Sequence, residues 1–275
     1  MTRNILVDEL NNRGFEASAT DSTKNGVIFE GITIKTEGSC IAPVIYTQSI
    51  IDKAEAEGVS LDDVVAHIID IYEEHKTADF DLTELMSRDF VLSHVKIGLQ
   101  RESTEELIKG ASEFKGIESY LYICGDATED GNFSIKLTEM YLERASVSVA
   151  EAWEHAKENT FADTEIVSMA KLMSEMMGFE YDESMERDMP MYVISNKSKI
   201  KGASAICDKA RLKAFAEEHG TIKLLALPSS VHEMIIIPFS DDMDIEMFSA
   251  MVAQVNSQEV APEERLSDEA IVLEF

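Results

Sequence analysis

The sequence is poor in cysteine, with three in 275 residues. Cys40, Cys124 and Cys207 lie far apart, and no CxxC or CxH spacing occurs around them. A disulfide framework or a structural zinc site needs paired or closely spaced ligands, so neither is expected and no metal site is predicted. We expect three reduced, buried thiols in a cytoplasmic protein.

Long apolar runs are also missing. No segment approaches the roughly 18 consecutive apolar residues that a membrane-spanning helix requires. The first ten residues already contain Asp8 and Glu9, which do not fit the basic start and apolar core of a signal peptide. We therefore predict no membrane association.

Basic residues are scarce, because 24 Lys and Arg stand against 53 Asp and Glu, for a formal net charge of −29. Such a charge repels nucleic acids and anionic membranes, and it favours partners with a positive surface. The charge therefore predicts a protein partner with a basic surface and no direct binding of nucleic acid. It leaves the oligomeric state open.

The rest of the composition is that of a folded protein. Hydrophobic residues make up 45% of the chain, which is enough to bury a sizeable core. Short β-branched runs and amphipathic helical runs both occur, so the predicted fold class is α+β. The acidic stretch 178–190 marks the expected boundary between an N-terminal domain with a mixed sheet, 1–185, and a C-terminal domain, 190–275.

The C-terminal domain is predicted to follow the order β-β-α-β-β-α-β. The expected strands are 191–195, 203–207, 221–227, 231–237 and 270–274, and the expected helices are 208–218 and 242–256.

Four patterns in the N-terminal domain predict local structure. Ser60 is expected to cap an amphipathic helix. Alternating residues predict a strand over 90–99, and the runs 119–124 and 133–137 predict a hairpin. The apolar spacing over 138–177 predicts helix, with Ser148 as a cap within it.

The segment Leu227-Pro-Ser-Ser-Val-His-Glu233 is the most conspicuous local feature. Ser229 or Ser230 could serve as a nucleophile and His232 as a general base. If 231–237 is a strand, however, His232 and Glu233 point to opposite faces, and the segment does not match the GxSxG pattern. A ligand- or partner-binding turn and a structural turn with a hydrogen-bonded histidine are the alternatives.

The chain contains one basic cluster, in which a single acid, Asp208, accompanies Lys197, Lys199, Lys201, Lys209, Arg211 and Lys213. The cluster could bind an anion or an acidic partner, or it could be a solvated loop or one neutralised by the acidic segment 180–188. It lacks the GxxxxGK[ST] spacing of a nucleotide-binding loop, and no cofactor is predicted.

Several segments together resemble a family of uncharacterised proteins common in gut Firmicutes and their mobile elements. They are Gly31-Ile-Thr-Ile34, Ala42-Pro-Val-Ile-Tyr46, Ala156-Lys-Glu-Asn-Thr160, Pro190-Met-Tyr-Val-Ile-Ser-Asn196, Lys201-Gly-Ala-Ser-Ala205, Leu227-Pro-Ser-Ser-Val-His-Glu233, Val255-Asn256 and Leu266-Ser-Asp268. The resemblance implies a bacterial, cytoplasmic origin and carries no known activity or catalytic residue.

Three functions follow as hypotheses. The first is a non-enzymatic protein-binding or regulatory module with an acidic surface, and it is favoured because no catalytic constellation stands out. The second is a nucleic-acid mimic that decoys a restriction or defence protein, which requires carboxylates spaced like phosphates. The third is an enzyme that uses the Ser229–Glu233 turn on an anionic substrate.

Overall fold

The computed structural model describes residues 1–35, 44–75, 82–110, 114–128, 131–182, 184–188 and 190–275. Helices and antiparallel sheets both occur throughout, which confirms the α+β prediction. The chain divides into two compact units, one comprising Met1–Leu85 with Asp126–Asn132 and the other Met86–Gly125 with Phe133–Phe275.

The first unit packs helices on a small antiparallel sheet. Its elements in chain order are α1 (Arg3–Asn12), β1 (Ala17–Lys24), β2 (Val27–Ile34), β3 (Val44–Tyr46), α2 (Gln48–Glu57), α3 (Leu61–His75) and α4 (Leu82–Leu85). The sheet order is β1-β2-β3. Asn25 and Gly26 both have positive φ in the two-residue turn between β1 and β2, as a tight hairpin turn requires.

Helix α3 begins where the sequence predicts. The Ser60 hydroxyl accepts a hydrogen bond from the Asp63 N–H at 3.2 Å, which satisfies one of the free donors of the first turn. Val64, Val65 and Ile68 are buried on one face of the helix and join the core of the first unit.

The rest of the chain continues with α5 (Arg88–His94), β4 (Val95–Arg101), β5 (Lys109–Gly110), β6 (Ile117–Thr128), β7 (Gly131–Lys136), α6 (Glu139–Arg144), α7 (Val149–Ala162), β8 (Thr164–Ser168), α8 (Met169–Met177), α9 (Ser184–Asp188), β9 (Tyr192–Asn196), a 3₁₀ helix (Gly202–Cys207), α10 (Lys209–Glu218), β10 (Lys223–Pro228), β11 (Met234–Pro238), α11 (Ile245–Glu259) and β12 (Ile271–Glu274). Strands β6 and β7 pair, which confirms the predicted hairpin.

The largest sheet has the strand order β12-β10-β11-β9-β8, and all its neighbours are antiparallel. Successive residues of β10 point to opposite faces. Leu224 belongs to the core that the 3₁₀ helix and α10 cover, whereas Leu225 belongs to the core that α11 covers through Val252. The sheet therefore carries helices on both faces.

The predicted strand at 90–99 is wrong in its first half, because α5 occupies residues up to His94 and β4 begins at Val95. The Ser87 hydroxyl caps α5 by accepting from the Phe90 N–H. Asn159 on α7 donates to the Leu92 carbonyl and to the Val95 carbonyl, each at 2.9 Å. These bonds support the backbone where helix changes to strand.

The predicted helix over 138–177 is wrong at residues 164–168, where β8 interrupts it. The predicted cap is confirmed, because the Ser148 hydroxyl accepts from the Glu151 N–H at the start of α7. Residues 164–168 pair with β9 along their whole length, and the register joins Thr164 to Asn196 and Ser168 to Tyr192. Thr164, Ile166 and Val167 are β-branched and suit a strand, so sheet pairing overrides the helical spacing of the apolar residues.

The predicted strand at 203–207 is instead the 3₁₀ helix Gly202–Cys207, and residues 202–206 are buried. The first half of the C-terminal segment therefore departs from the predicted β-β-α order. The proposed boundary between 185 and 190 lies between β8 and β9, which belong to one sheet and one compact unit.

Cys124 and Cys207 are half-buried thiols, and Cys40 lies outside the described residues. Among the described residues, no helix combines the length and the apolar character needed to cross a bilayer.

Replacing Asn159 with alanine should lower the free energy of unfolding by about 1–3 kcal/mol, because two carbonyl groups lose their donor. Urea denaturation measures the change. Asn4→Ala on the exposed side of α1 is the matched control and should stay within about 0.5 kcal/mol of the parent. Equal effects of both substitutions would contradict the role of Asn159.

Candidate functional site

The turn between β10 and β11 uses its own hydroxyl groups to close the backbone. The Ser229 hydroxyl donates to the Glu233 carbonyl at 3.0 Å. The Ser230 hydroxyl accepts from the His232 N–H at 3.1 Å, and the Ser230 N–H donates to the Glu233 carbonyl at 3.2 Å. Both serine hydroxyls therefore serve the turn rather than face the His232 ring.

Both ring nitrogens of His232 have partners outside the turn. The Lys201 backbone N–H donates to Nδ1 at 3.2 Å, so Nδ1 is unprotonated and the ring proton lies on Nε2. Nε2 is 3.3 Å from Oε1 of Glu264. The histidine side chain is 32% exposed. Glu264, and not the neighbouring Glu233, is the carboxylate at the imidazole.

The same turn is bonded to three other segments. The Val231 carbonyl accepts from the Ala203 N–H at 3.2 Å, and the Val231 N–H donates to the Glu264 carbonyl at 2.8 Å. The buried Asn256 amide donates to the Pro228 carbonyl at 3.2 Å, to the Ser267 carbonyl at 3.0 Å and to Oδ1 of Asp268 at 3.2 Å. The signature segments of the C-terminal half therefore converge on this turn.

Gly202 allows the closest of these approaches. A Cβ at this position would lie 2.6 Å from the Asn196 backbone nitrogen and 2.7 Å from the His232 carbonyl oxygen, and it would also overlap the Ser195 hydroxyl. That hydroxyl donates to the same His232 carbonyl at 2.7 Å. A side chain at 202 would force the turn away from β9.

Gly202→Ala should therefore lower the free energy of unfolding by about 1–3 kcal/mol through overpacking against backbone atoms. Chemical denaturation measures the loss. Ala210→Gly, an exposed change of opposite direction on α10, removes a methyl group without a clash and should cost about 1 kcal/mol from helix propensity alone. A Gly202→Ala protein as stable as the parent would contradict the close packing.

Three residues of the predicted basic cluster line one groove. Lys197, Lys199 and Arg211 contribute to it together with Lys171, and the groove has a volume of about 690 Å³. Its other lining residues are Ala162, Thr164, Glu165, Ile166, Val167, Leu172 and Glu175. Lys171 was not singled out from the sequence, because it lies 26 residues before the cluster and only the fold brings it there.

The remaining members of the basic cluster lie elsewhere. Lys201 donates from Nζ to the Ser134 hydroxyl at 3.0 Å and stands 4.7 Å from the ring centre of Tyr122. Lys209 lines a separate cavity of about 320 Å³ together with Leu99, Ile206 and Leu212. Lys213 is exposed on α10.

In the described part of the chain, Lys199 and Arg211 form ion pairs with acids close to the groove and not with the acidic segment 180–188. Nζ of Lys199 is 3.9 Å from Oε2 of Glu165, and Nε of Arg211 is 3.4 Å from Oδ2 of Asp208. Both pairs involve partly exposed side chains, so each contributes little to stability.

No sequence pattern indicates the polar network that lies beside β4 and β6, because its members are scattered along the chain. Nζ of Lys136 contacts Oε1 of Gln100 and both oxygens of Glu105, each at 2.9 Å. Glu118 accepts from the Gln100 amide at 2.6 Å and lies 3.0 Å from Nζ of Lys109. Each charge thus has an opposite partner, which is typical of a structural network.

The pKa of Glu118 is lowered. Burial by itself would raise the pKa, but hydrogen bonds from Gln100, Ser103 and Lys109 to the carboxylate outweigh the burial. A carboxylate with a lowered pKa in the folded state stabilises the fold above its unfolded pKa of about 4.3, and that contribution is lost as the pH falls through the folded pKa.

Glu118→Gln should therefore be less stable than the parent at pH 6, and the difference should shrink as the pH is lowered toward 3. Urea midpoints measured from pH 6 to pH 3 test this. Glu106→Gln removes the same charge from an exposed neighbouring position and serves as the control. A difference between Glu118→Gln and the parent that is constant with pH would contradict the lowered pKa.

Within the described part of the chain, no three His, Cys, Asp or Glu side chains form a group that could hold a metal ion.

Comparison with known proteins gives a family and no activity. The chain matches the sequence model of a protein family over residues 3–272, and that family is described as a family of unknown function (DUF5688). The match covers nearly the whole chain, so the chain belongs to this family. No curated protein and no solved structure matches it.

Proposed function

We propose that this protein is a non-enzymatic protein-binding module that holds its partner on the exposed face of α11. The observation that carries the proposal is an uncharged, partly apolar helix surface on a chain in which 28% of residues are charged. Residues 247–258 contain no Asp, Glu, Lys or Arg. Exposed apolar surface of this kind is typical of an interaction site.

The exposed apolar residues of α11 form one stripe. Met247, Met251 and Val255 are four residues apart, so they lie one above the other on the same side of the helix. The adjoining side carries Val252 and Phe248, which pack on the sheet. The helix is therefore held in place by its inner face while its outer apolar face meets solvent.

The partner's chemistry follows from what flanks the stripe. Asp241, Asp242 and Glu246 are exposed near the start of α11, and Glu259 is exposed at its end. An amphipathic segment with an apolar face and basic edges complements both the stripe and the acids. Methionine side chains adapt to different apolar surfaces, which suits a binding face of this kind.

The geometry of the Ser229–Glu233 turn supports a structural role more than the enzyme hypothesis. The two hydroxyl groups bond the turn's own backbone, and the nitrogens of His232 bond Lys201 and Glu264. A serine nucleophile would need the imidazole within hydrogen-bond reach.

The decoy hypothesis stays a prediction, since it depends on carboxylates spaced like phosphates along one continuous face. The cytoplasmic location and the setting in gut Firmicutes and their mobile elements likewise stay expectations from the sequence.

A fluorescent 18-residue peptide with leucines on one helical face and lysines on the other is a suitable probe of the α11 stripe. We expect the parent protein to bind it and Met251→Gln to bind about tenfold more weakly, because one apolar contact is lost. Fluorescence anisotropy measures both dissociation constants.

Met176→Gln is the matched control, since it makes the same change on α8 at a methionine that is 87% exposed. It should leave the affinity unchanged. A second peptide with the same composition but leucines spread around the helix should bind weakly. Equal binding of the two peptides, or equal weakening by the two substitutions, would show charge attraction alone and contradict the proposal.

A further inference from the structure

Strand β8 lies at the end of the largest sheet. In the sheet order it follows β9, and among the described residues no other strand pairs with it. An end strand leaves every second backbone N–H and C=O group without a partner in the sheet, and such groups can pair with an added strand.

The register shows which groups face outward. The Met169 N–H donates to the Met191 carbonyl at 2.8 Å, and these two residues continue the β8–β9 register. Hydrogen-bonded pairs in an antiparallel ladder recur at every second residue, so Val167 and Glu165 bond to β9. The N–H and C=O groups of Ile166 therefore point away from β9, toward the free edge.

The groove that Lys171, Lys197, Lys199 and Arg211 line, the basic groove, lies at this same strand. Thr164, Glu165, Ile166 and Val167 are consecutive residues of β8, and all of them line the groove. The cations do not come from the strand itself but from α8 (Lys171), from the loop after β9 (Lys197 and Lys199) and from α10 (Arg211). Lysines that deter strand pairing normally lie on the edge strand. Cations placed across a groove attract an acidic segment instead.

The loop that presents two of these lysines is held in one conformation by Asn196. Its side-chain amide donates to the Ile200 carbonyl at 2.8 Å, and its Oδ1 accepts from the Ser198 hydroxyl at 3.1 Å and from the Ile200 N–H at 3.3 Å. Lys197 and Lys199 are exposed on this loop. A preorganised display of charge lowers the entropic cost of binding.

Thr164 supplies a further unmet group. It is 4% exposed, and its hydroxyl is buried with no hydrogen-bond partner in the described part of the chain. A buried polar group without a partner is destabilising.

We infer that the free edge of β8 and the basic groove beside it bind an extended acidic peptide segment, which adds to the sheet as a further strand. The segment's backbone pairs with Ile166, and its carboxylates meet Lys171, Lys197, Lys199 and Arg211. Four cations stand against Glu165 and Glu175 in this groove, on a chain whose net charge is −29. The groove is also lined by the apolar residues Ile166, Val167 and Leu172, which can contact apolar side chains at alternate positions of the segment.

The test uses the full chain and a fluorescent eight-residue peptide of alternating Glu and Val. The parent should bind it, and the double variant Lys199→Gln/Arg211→Gln should bind about tenfold more weakly, because two charge contacts are lost. Lys209→Gln/Lys213→Gln is the matched control, since it removes equal charge from the same basic cluster outside the groove. Anisotropy at two salt concentrations measures each affinity.

Two further probes distinguish backbone pairing with the edge of β8 from binding by charge attraction alone. The same peptide with alternate backbone amides N-methylated retains its carboxylates but loses donors to the strand, and it should bind at least about tenfold more weakly. Equal binding of the methylated peptide, or its displacement of the unmethylated one at equal concentration, would overturn strand addition. Full displacement by micromolar pyrophosphate would indicate a small-anion site and would overturn the proposal as well.

A second copy of the chain is the remaining occupant to exclude. Sedimentation of the parent and of Lys199→Gln/Arg211→Gln should show the same oligomeric state for both. If the parent is a dimer and this double substitution dissociates it, the free edge of β8 serves self-association, and the peptide proposal is overturned. Met251→Gln should leave binding of the acidic peptide unchanged, so failure at α11 and failure at β8 are separate results.

Discussion

The pairing of β8 with β9 is the interaction on which the candidate groove depends. Residues 164–168 follow α7 and precede α8, and their apolar spacing alone suits helix. Five register partners on β9 hold them in a strand instead. This pairing brings α8 and the loop after β9 to one groove, which Lys171, Lys197 and Lys199 line together.

A second constraint is the set of hydrogen bonds that joins the β10–β11 turn of the same sheet to segments distant in sequence. The turn between β10 and β11 accepts or donates hydrogen bonds to the 3₁₀ helix, to Glu264 and, through Asn256, to α11 and the segment before β12. Gly202 is the residue whose lack of a side chain permits the closest approach. The hydroxyl groups of Ser229 and Ser230 and both ring nitrogens of His232 take part in hydrogen bonds of this region.

The surface of the second unit combines chemistries that the average charge conceals. The chain is strongly acidic, yet one groove gathers four cations, and the outer face of α11 has no charge over 247–258. Local departures from the mean charge point to specific binding surfaces. A uniformly acidic surface, by contrast, is satisfied by contact with solvent alone. The cationic groove beside the end strand β8 and the apolar stripe on α11 are the two features on which the proposed binding sites rest.

The sequence by itself determined the charge, the α+β class, the helix that Ser60 caps and the β6–β7 hairpin. Each of these depends on composition or on residues close together in the chain, where local propensity decides. Only the tertiary structure decided that Val95 begins a strand, that Thr164–Ser168 leaves the helix and that residues 202–207 form a 3₁₀ helix. It also decided that Glu264 rather than Glu233 meets His232, and that Lys171 joins the basic cluster. Those outcomes rest on contacts between residues far apart in sequence, whose free energies exceed the small local preferences that a sequence pattern reports.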